Sequence, residues 1–199
     1  MIPFFAAVLI AVVSGLPSDC VGCSFSGRDL HGADLSGVSY VGASFARVDL
    51  RNANLHGAEL TGASFRDADL RGASFTGARL QGISTSHARL GNANFTDAHI
   101  EGGSFRDTDA TGAIFVRASL EGADFRGTVL RNADFRGARL CWRNDDGRIG
   151  CADFNGAQLQ GANFRGALIC SNRDSGGCAP VDAATLRAYS KSDLAGATL

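Results

Sequence analysis

Ala53-Asn54-Leu55-His56-Gly57-Ala58-Glu59-Leu60-Thr61-Gly62-Ala63-Ser64-Phe65-Arg66-Asp67-Ala68-Asp69-Leu70-Arg71-Gly72 decides how this chain folds. Leu55, Leu60, Phe65 and Leu70 stand five residues apart, each preceded two places earlier by alanine. Glycine follows two places later at Gly57, Gly62 and Gly72. Outward from this stretch the beat runs back through Leu50, Phe45, Tyr40, Leu35 and Leu30 to Phe25. It runs forward through Phe75, Leu80, Thr85, Leu90, Phe95, Ile100, Phe105, Ala110, Phe115, Leu120, Phe125, Leu130 and Phe135 to Leu140.

A period of five fits neither a helix near 3.6 residues per turn nor a strand of period two. It fits a chain that corners every five residues. Each short extended segment then points its central Leu or Phe, and the small residue two before it, at a common axis. Glycine eases the corner because it accepts unusual dihedrals. Four sides close a square coil, and coils stack about 4.8 Å apart through parallel backbone hydrogen bonds. Residues twenty apart then form ladders: Phe25, Phe45, Phe65, Thr85, Phe105, Phe125 on one side and Leu35, Leu55, Phe75, Phe95, Phe115, Phe135 on the opposite one. About seven such coils give a filled rod some 34 Å long. Two centres are small, Thr85 and Ala110, and Ile83 at a site usually held by Ala is expected to offset the volume lost at Thr85.

Segments such as Ala68-Asp69-Leu70-Arg71-Gly72 and Ala123-Asp124-Phe125-Arg126-Gly127 resemble the pentapeptide-repeat family, with its A(D/N)LxG-type repeat. The resemblance covers roughly residues 23–169. It implies an all-β fold, a right-handed quadrilateral parallel β-helix of about seven coils, here with a short C-terminal helical or irregular cap.

After Leu140 the next centres are Phe154, Leu159, Phe164 and Ile169, so nine extra residues form an inserted loop, 141–151, bracketed by Cys141 and Cys151. Asp145-Asp146-Gly147 supplies its turn. One coil later Cys170 and Cys178 bracket a second loop. Local pairs Cys141–Cys151 and Cys170–Cys178 are favoured, and Cys141–Cys170 is the competing connectivity. Cys20-Val21-Gly22-Cys23 reads as an N-terminal clip, because no helix follows to stabilise a redox thiolate. Both loops look like cysteine-bounded insertions of some exported family members. Residues 170–191 hold the second loop and a short helical segment capped by Asp182, and residues 192–199 restart repeat chemistry.

Met1 to Leu16 contains an apolar run too short for a membrane-spanning helix and is followed by small residues. Residues 1–15 read as a signal peptide, with an uncleaved anchor as the alternative, and residues 16–22 as an N-terminal cap. All six cysteines lie beyond that point, and disulfides persist in oxidising compartments, so a secreted, periplasmic or lumenal location is expected. A reduced cytosolic protein is the competing reading.

Composition narrows function. With 45% hydrophobic residues, 20% charged and a formal charge of −1, neither disorder nor a basic nucleic-acid binder fits. His31, His56, His87 and His99 fall on four different sides, so no metal site is expected, and no cofactor motif or nucleophile–base constellation stands out. The expectation is a non-enzyme: an exported structural or interaction module with an unidentified protein partner, no nucleic acid and an end-to-end homodimer as an option. Trp142, Arg143, Arg148 and Arg139 are the candidate partner-binding residues, since Trp and Arg are favoured anchors. The alternative, implied by the resemblance alone, is a DNA-mimicking, gyrase-binding protein of the quinolone-resistance kind. Net charge −1 and an export signal argue against it.

Overall fold

In a computed structural model the protein is described for residues 15–171, 177–190, 194 and 196–199. The expected signal peptide lies, apart from Gly15, outside the described residues. Each five-residue side enters its sheet through a single parallel bridge, and bridges step by twenty: Ser24 to Ser44, Ser44 to Ser64, Ser64 to Ser84, with equivalent series on the other three sides. The result is a right-handed quadrilateral β-helix.

Two hydrogen bonds per side make the step rigid. Phe65 N–H donates to Ser84 O at 2.7 Å, and Ser84 N–H donates to Ala63 O at 3.1 Å. A third closes the corner, Ala68 N–H to Phe65 O at 3.1 Å. Only the third residue of each corner has positive φ, the signature of a type II turn. Glycine usually stands there, as Gly62 does at φ 71°, but Arg47, Asn52, Asp67 and His87 adopt the same conformation at 56–61°.

The axis is packed by alternating ring geometry. Within a side the rings stack: Phe45 on Phe65 at 4.9 Å and 8°, Phe75 on Phe95 at 4.9 Å and 1°, Phe95 on Phe115 at 5.0 Å and 6°. Across the axis they meet edge-on, Phe95 with Phe105 at 89° and Phe115 with Phe125 at 83°. Each such pair contributes about 0.5–1.5 kcal/mol beyond area burial.

Thr85 interrupts one ring ladder, and hydroxyl chemistry replaces what it removes. Its Oγ1 lies 3.2 Å from both Ser104 O and Thr108 Oγ1, and Thr108 Oγ1 donates to Thr85 O at 2.8 Å. Thr128 Oγ1 repeats the motif one coil later, donating to Phe105 O. A buried polar group is tolerated when it is hydrogen-bonded in this way. The bulk of Ile83 meets Gly103, one coil on. A Cβ added at Gly103 would fall 3.4 Å from Ile83 Cγ1 and 2.8 Å from Ile100 Cγ2.

The ladder begins at Asp19, which bridges Ser39, so part of the stretch expected as a cap already follows the coil register. Leu16 packs on the core end. Tyr40 is fully buried with its hydroxyl on Pro17 O at 2.5 Å, and burial raises the phenol above its ordinary pKa. Across the insertion the bridge step widens to 29, as in Asp124 with Asp153, yet Phe125 still stacks on Phe154 at 5.0 Å.

Candidate functional site

Leu140 is the last centre before the coil is interrupted. Its segment continues as β1 (Arg139–Arg143), and β2 (Ile149–Cys151) returns antiparallel with Cys141 opposite Cys151. Their Cα atoms are 3.9 Å apart and the sulfurs are bonded. Ala152 N–H then donates to Leu140 O at 2.8 Å, which returns the chain to the coil. One coil on, β3 (Leu168–Ser171) lies parallel to β1, and β4 (Gly177–Pro180) returns against it with Cys170 bonded to Cys178. The order β2-β1-β3-β4 makes a small sheet on one corner of the rod.

The register places Cys141 beside Ile169 and Trp142 beside Cys170, so the cross-coil pair Cys141–Cys170 is not formed. A register shift between Arg139 and Cys141 separates the two cysteines that equal spacing would have stacked. Cys20 and Cys23 are bonded to each other at the N-terminal end, and no free cysteine remains among the described residues. A helix, α1 (Ala183–Ser190), packs against β2 and buries Leu186. Its start is capped by Asp182, whose carboxylate accepts Thr185 N–H at 2.6 Å and is held below its usual pKa by that bond.

The four candidate binding residues do not share one environment. Trp142 is half-buried because its indole lies over Gly150, its cross-strand neighbour, and an added Cβ there would fall 2.5 Å from the ring. Arg143 is exposed opposite Ile149. Arg148 is 81% exposed and pairs loosely with Asp146 at 3.6 Å. Its backbone N–H donates to Asn144 Oδ1 at 2.7 Å, which closes the hairpin loop. Arg139 turns inward instead, with Nε 2.8 Å from Glu121 Oε1. Trp142, Arg143 and Arg148 therefore share the outer hairpin, and Arg139 belongs to its base.

The arginine belt below the hairpin is neutralised. Arg126 pairs with Asp124 at 2.5 Å, Arg136 with Asp134 at 2.6 Å, and Arg131 reaches Gln158 Oε1 at 2.6 Å. Hydrogen bonds from these arginines hold Asp124 and Asp134 below the ordinary carboxylate range. Asp49, bonded by Arg51, falls to about 2 for the same reason. Arg51 and Arg71 line a shallow groove of about 370 Å³ with Asn52, Gly72, Gly91 and Asn92, on a side away from the hairpins. Among the described residues no three His, Cys, Asp or Glu groups converge as a metal site. No helix among them is long and apolar enough to cross a membrane.

Sequence reasoning passed over Glu101 and Glu121. The signal was available: both follow a ladder centre on the same side, twenty residues apart, one coil below the first hairpin.

A filled square β-helix with the five-residue corner and the A(D/N)LxG beat defines a class of repeat protein. The chain belongs to the pentapeptide repeat family, whose model matches it in eight copies over residues 18–140 and 151–169. No curated protein matches it. Among solved structures, it is similar to a pentapeptide repeat protein from the Arabidopsis thaliana thylakoid lumen: 40% identity, 47% of this chain, 68% of the other, TM-score 0.40. QnrB1, a plasmid-mediated fluoroquinolone resistance protein, is 26% identical over 75% of this chain and 61% of its own, TM-score 0.37. A pentapeptide repeat protein from the cyanobacterium Cyanothece 51142 is 20% identical over 78% and 88%, TM-score 0.27.

Proposed function

We propose that this chain is an exported, non-catalytic interaction module in which the rod is a rigid support and the clasped hairpins present the binding surface. One observation carries the reading: all six cysteines are used in local disulfides, two of which clasp a sheet that raises Arg143, Arg148 and the outer edge of Trp142 from the corner of a filled rod. Disulfides endure in oxidising compartments, which agrees with the apolar stretch before Leu16. The hairpin arginines suit an acidic protein surface.

Two measurements test this. Expression of the full chain followed by fractionation and a thiol count is expected to give exported protein with no free thiol, and cytosolic, fully reduced protein overturns it. In crosslinking of the exported protein, Arg143→Glu with Arg148→Glu is expected to abolish recovery of a specific partner while thermal unfolding is unchanged. Equal recovery moves the binding surface elsewhere. A gyrase supercoiling assay separates the alternative reading, and inhibition by the purified chain would favour it.

A further inference from the structure

Glu101 and Glu121 follow the ladder centres Ile100 and Leu120 and are successive rungs of one column. Their backbones are tied directly, Gly102 N–H donating to Glu121 O at 3.1 Å. Each carries one carboxylate oxygen, Oε2, that is shut off from solvent and has no hydrogen-bond partner in the protein. Glu121 is the more enclosed, its side chain only 7% exposed. Its other oxygen faces Arg139 at 2.8 Å, and Glu101 Oε1 faces His99 Nδ1 at 3.8 Å. Two adjacent orphan acceptors with no donor between them are costly, since each loses its water without gaining a bond.

We propose that Glu101 and Glu121 share one proton at neutral pH, so that a carboxylic acid donates to a carboxylate across one coil step beneath the first hairpin. One proton satisfies both orphan oxygens at once: as O–H it fills the gap, and the remaining negative charge stays beside Arg139. Like charges held this close cannot both ionise freely in a poorly hydrated site. Desolvation first, and then the charge of Glu101, raise Glu121 above the ordinary glutamate range against the pull of Arg139.

The surroundings leave few other donors. The coils bring His99, Ser119 and, one rung below, neutral Gln81; Arg79 lies next to Glu59 at 3.8 Å. From the hairpin, β1 contributes Arg139 and Arg143, and β2 carries no charged residue. Helix α1, packed on β2, has no acidic residue in its first turn and Arg187 in its last.

The sign of the linkage follows. A carboxyl whose folded pKa is raised binds its proton more tightly in the folded state, so stability is greatest in acid and falls as pH rises from the unfolded value through the folded one. The aspartates held low by arginine act in the opposite direction, but only below about pH 4. The window from pH 5 to 8 therefore isolates the glutamate pair and His99.

Urea unfolding of the oxidised full chain across that window reads the effect, with carboxyl-carbon NMR titration of labelled glutamate beside it. The unfolding constant is expected to rise with pH by up to about tenfold per unit over part of the window. One carboxyl resonance is expected to titrate above the ordinary range. Glu121→Gln, whose amide can stand in for the shared proton, is expected to flatten that dependence and to be at least as stable as the parent at pH 8. Glu101→Gln is expected to flatten it also, whereas His99→Gln keeps it. Both carboxyls titrating below pH 5, a parent with no dependence in the window, or a dependence that vanishes in His99→Gln each overturn the proposal.

Discussion

The regular coils and the clasped hairpins solve the same problem by opposite means. In the coils every side is specified by its own five residues, and cohesion comes from neighbours twenty residues away: a bridge above, a bridge below and a ring or leucine stacked on each. In the hairpins the strands pair with residues only a few positions off, and the closing element is covalent. The coil is a cooperative array, whereas each hairpin is a local device bolted to its corner. Repeat rods distribute stability over nearest-neighbour interfaces, so damage to a central rung should spread and damage to a hairpin should not.

The largest expected effect lies at the centre of the array. Phe95 is 1% exposed, stacks on Phe75 and Phe115 and meets Phe105 edge-on. Phe95→Ala is expected to lower the unfolding free energy by about 3–5 kcal/mol, measured by urea denaturation. Phe164 stacks on Phe135 alone within its side, so Phe164→Ala should cost less. Equal losses at the two positions would mean that the coils do not share load as the ladder implies.

Next comes the clasp. Cys141→Ser with Cys151→Ser removes a bond closing a separation of ten residues, worth roughly 3 kcal/mol in the chain-entropy picture. The loss is expected to be confined to the hairpin sheet: amide exchange should quicken in β1 and β2 and stay slow around Phe65 and Phe95. Exchange quickening throughout would show that the insertion is part of the cooperative unit.

The contrast also explains what could be read in advance. The coil was legible because its period is short, its inward residues are of one kind and its corners tolerate few conformations. Equal spacing predicted which rings stack, and Phe45 over Phe65 follows from it. Departures from the repeat were less legible because they depend on pairs in adjacent rungs. Ile83 stood out as bulky, but only the coordinates show that the missing side chain of Gly103 accommodates it. Thr85, Thr108 and Thr128 read as lost volume, when their hydroxyls in fact bind carbonyls one rung away. The hairpin arginines looked alike in sequence, and a register shift alone sends Arg139 inward to Glu121 while Arg143 faces solvent.

That pairing of Ile83 with Gly103 can be tested at smaller amplitude. Gly103→Ala forces a methyl against Ile83 and Ile100 and should cost about 1–3 kcal/mol. Adding Ile83→Ala returns the column to the residue type used at Ala63 and Ala123, and the double variant is expected to recover part of the loss. Additive losses in that cycle would mean that the two residues are independent.

The smallest effect is a gain, and it returns to the local rule of the coil. Arg47 is an exposed corner residue at φ 57°, and no ion pair engages it among the described residues. The left-handed conformation costs an ordinary L-residue about 1 kcal/mol, offset in part by the greater entropy glycine loses on folding. Arg47→Gly should therefore stabilise the chain by about 0.5 kcal/mol, visible as a small rise in the urea midpoint with the slope unchanged. Asn52, in the same conformation, should show less benefit, because asparagine tolerates that region better than arginine. A loss at Arg47 would mean that its side chain contributes to the surface by more than the corner strain it brings.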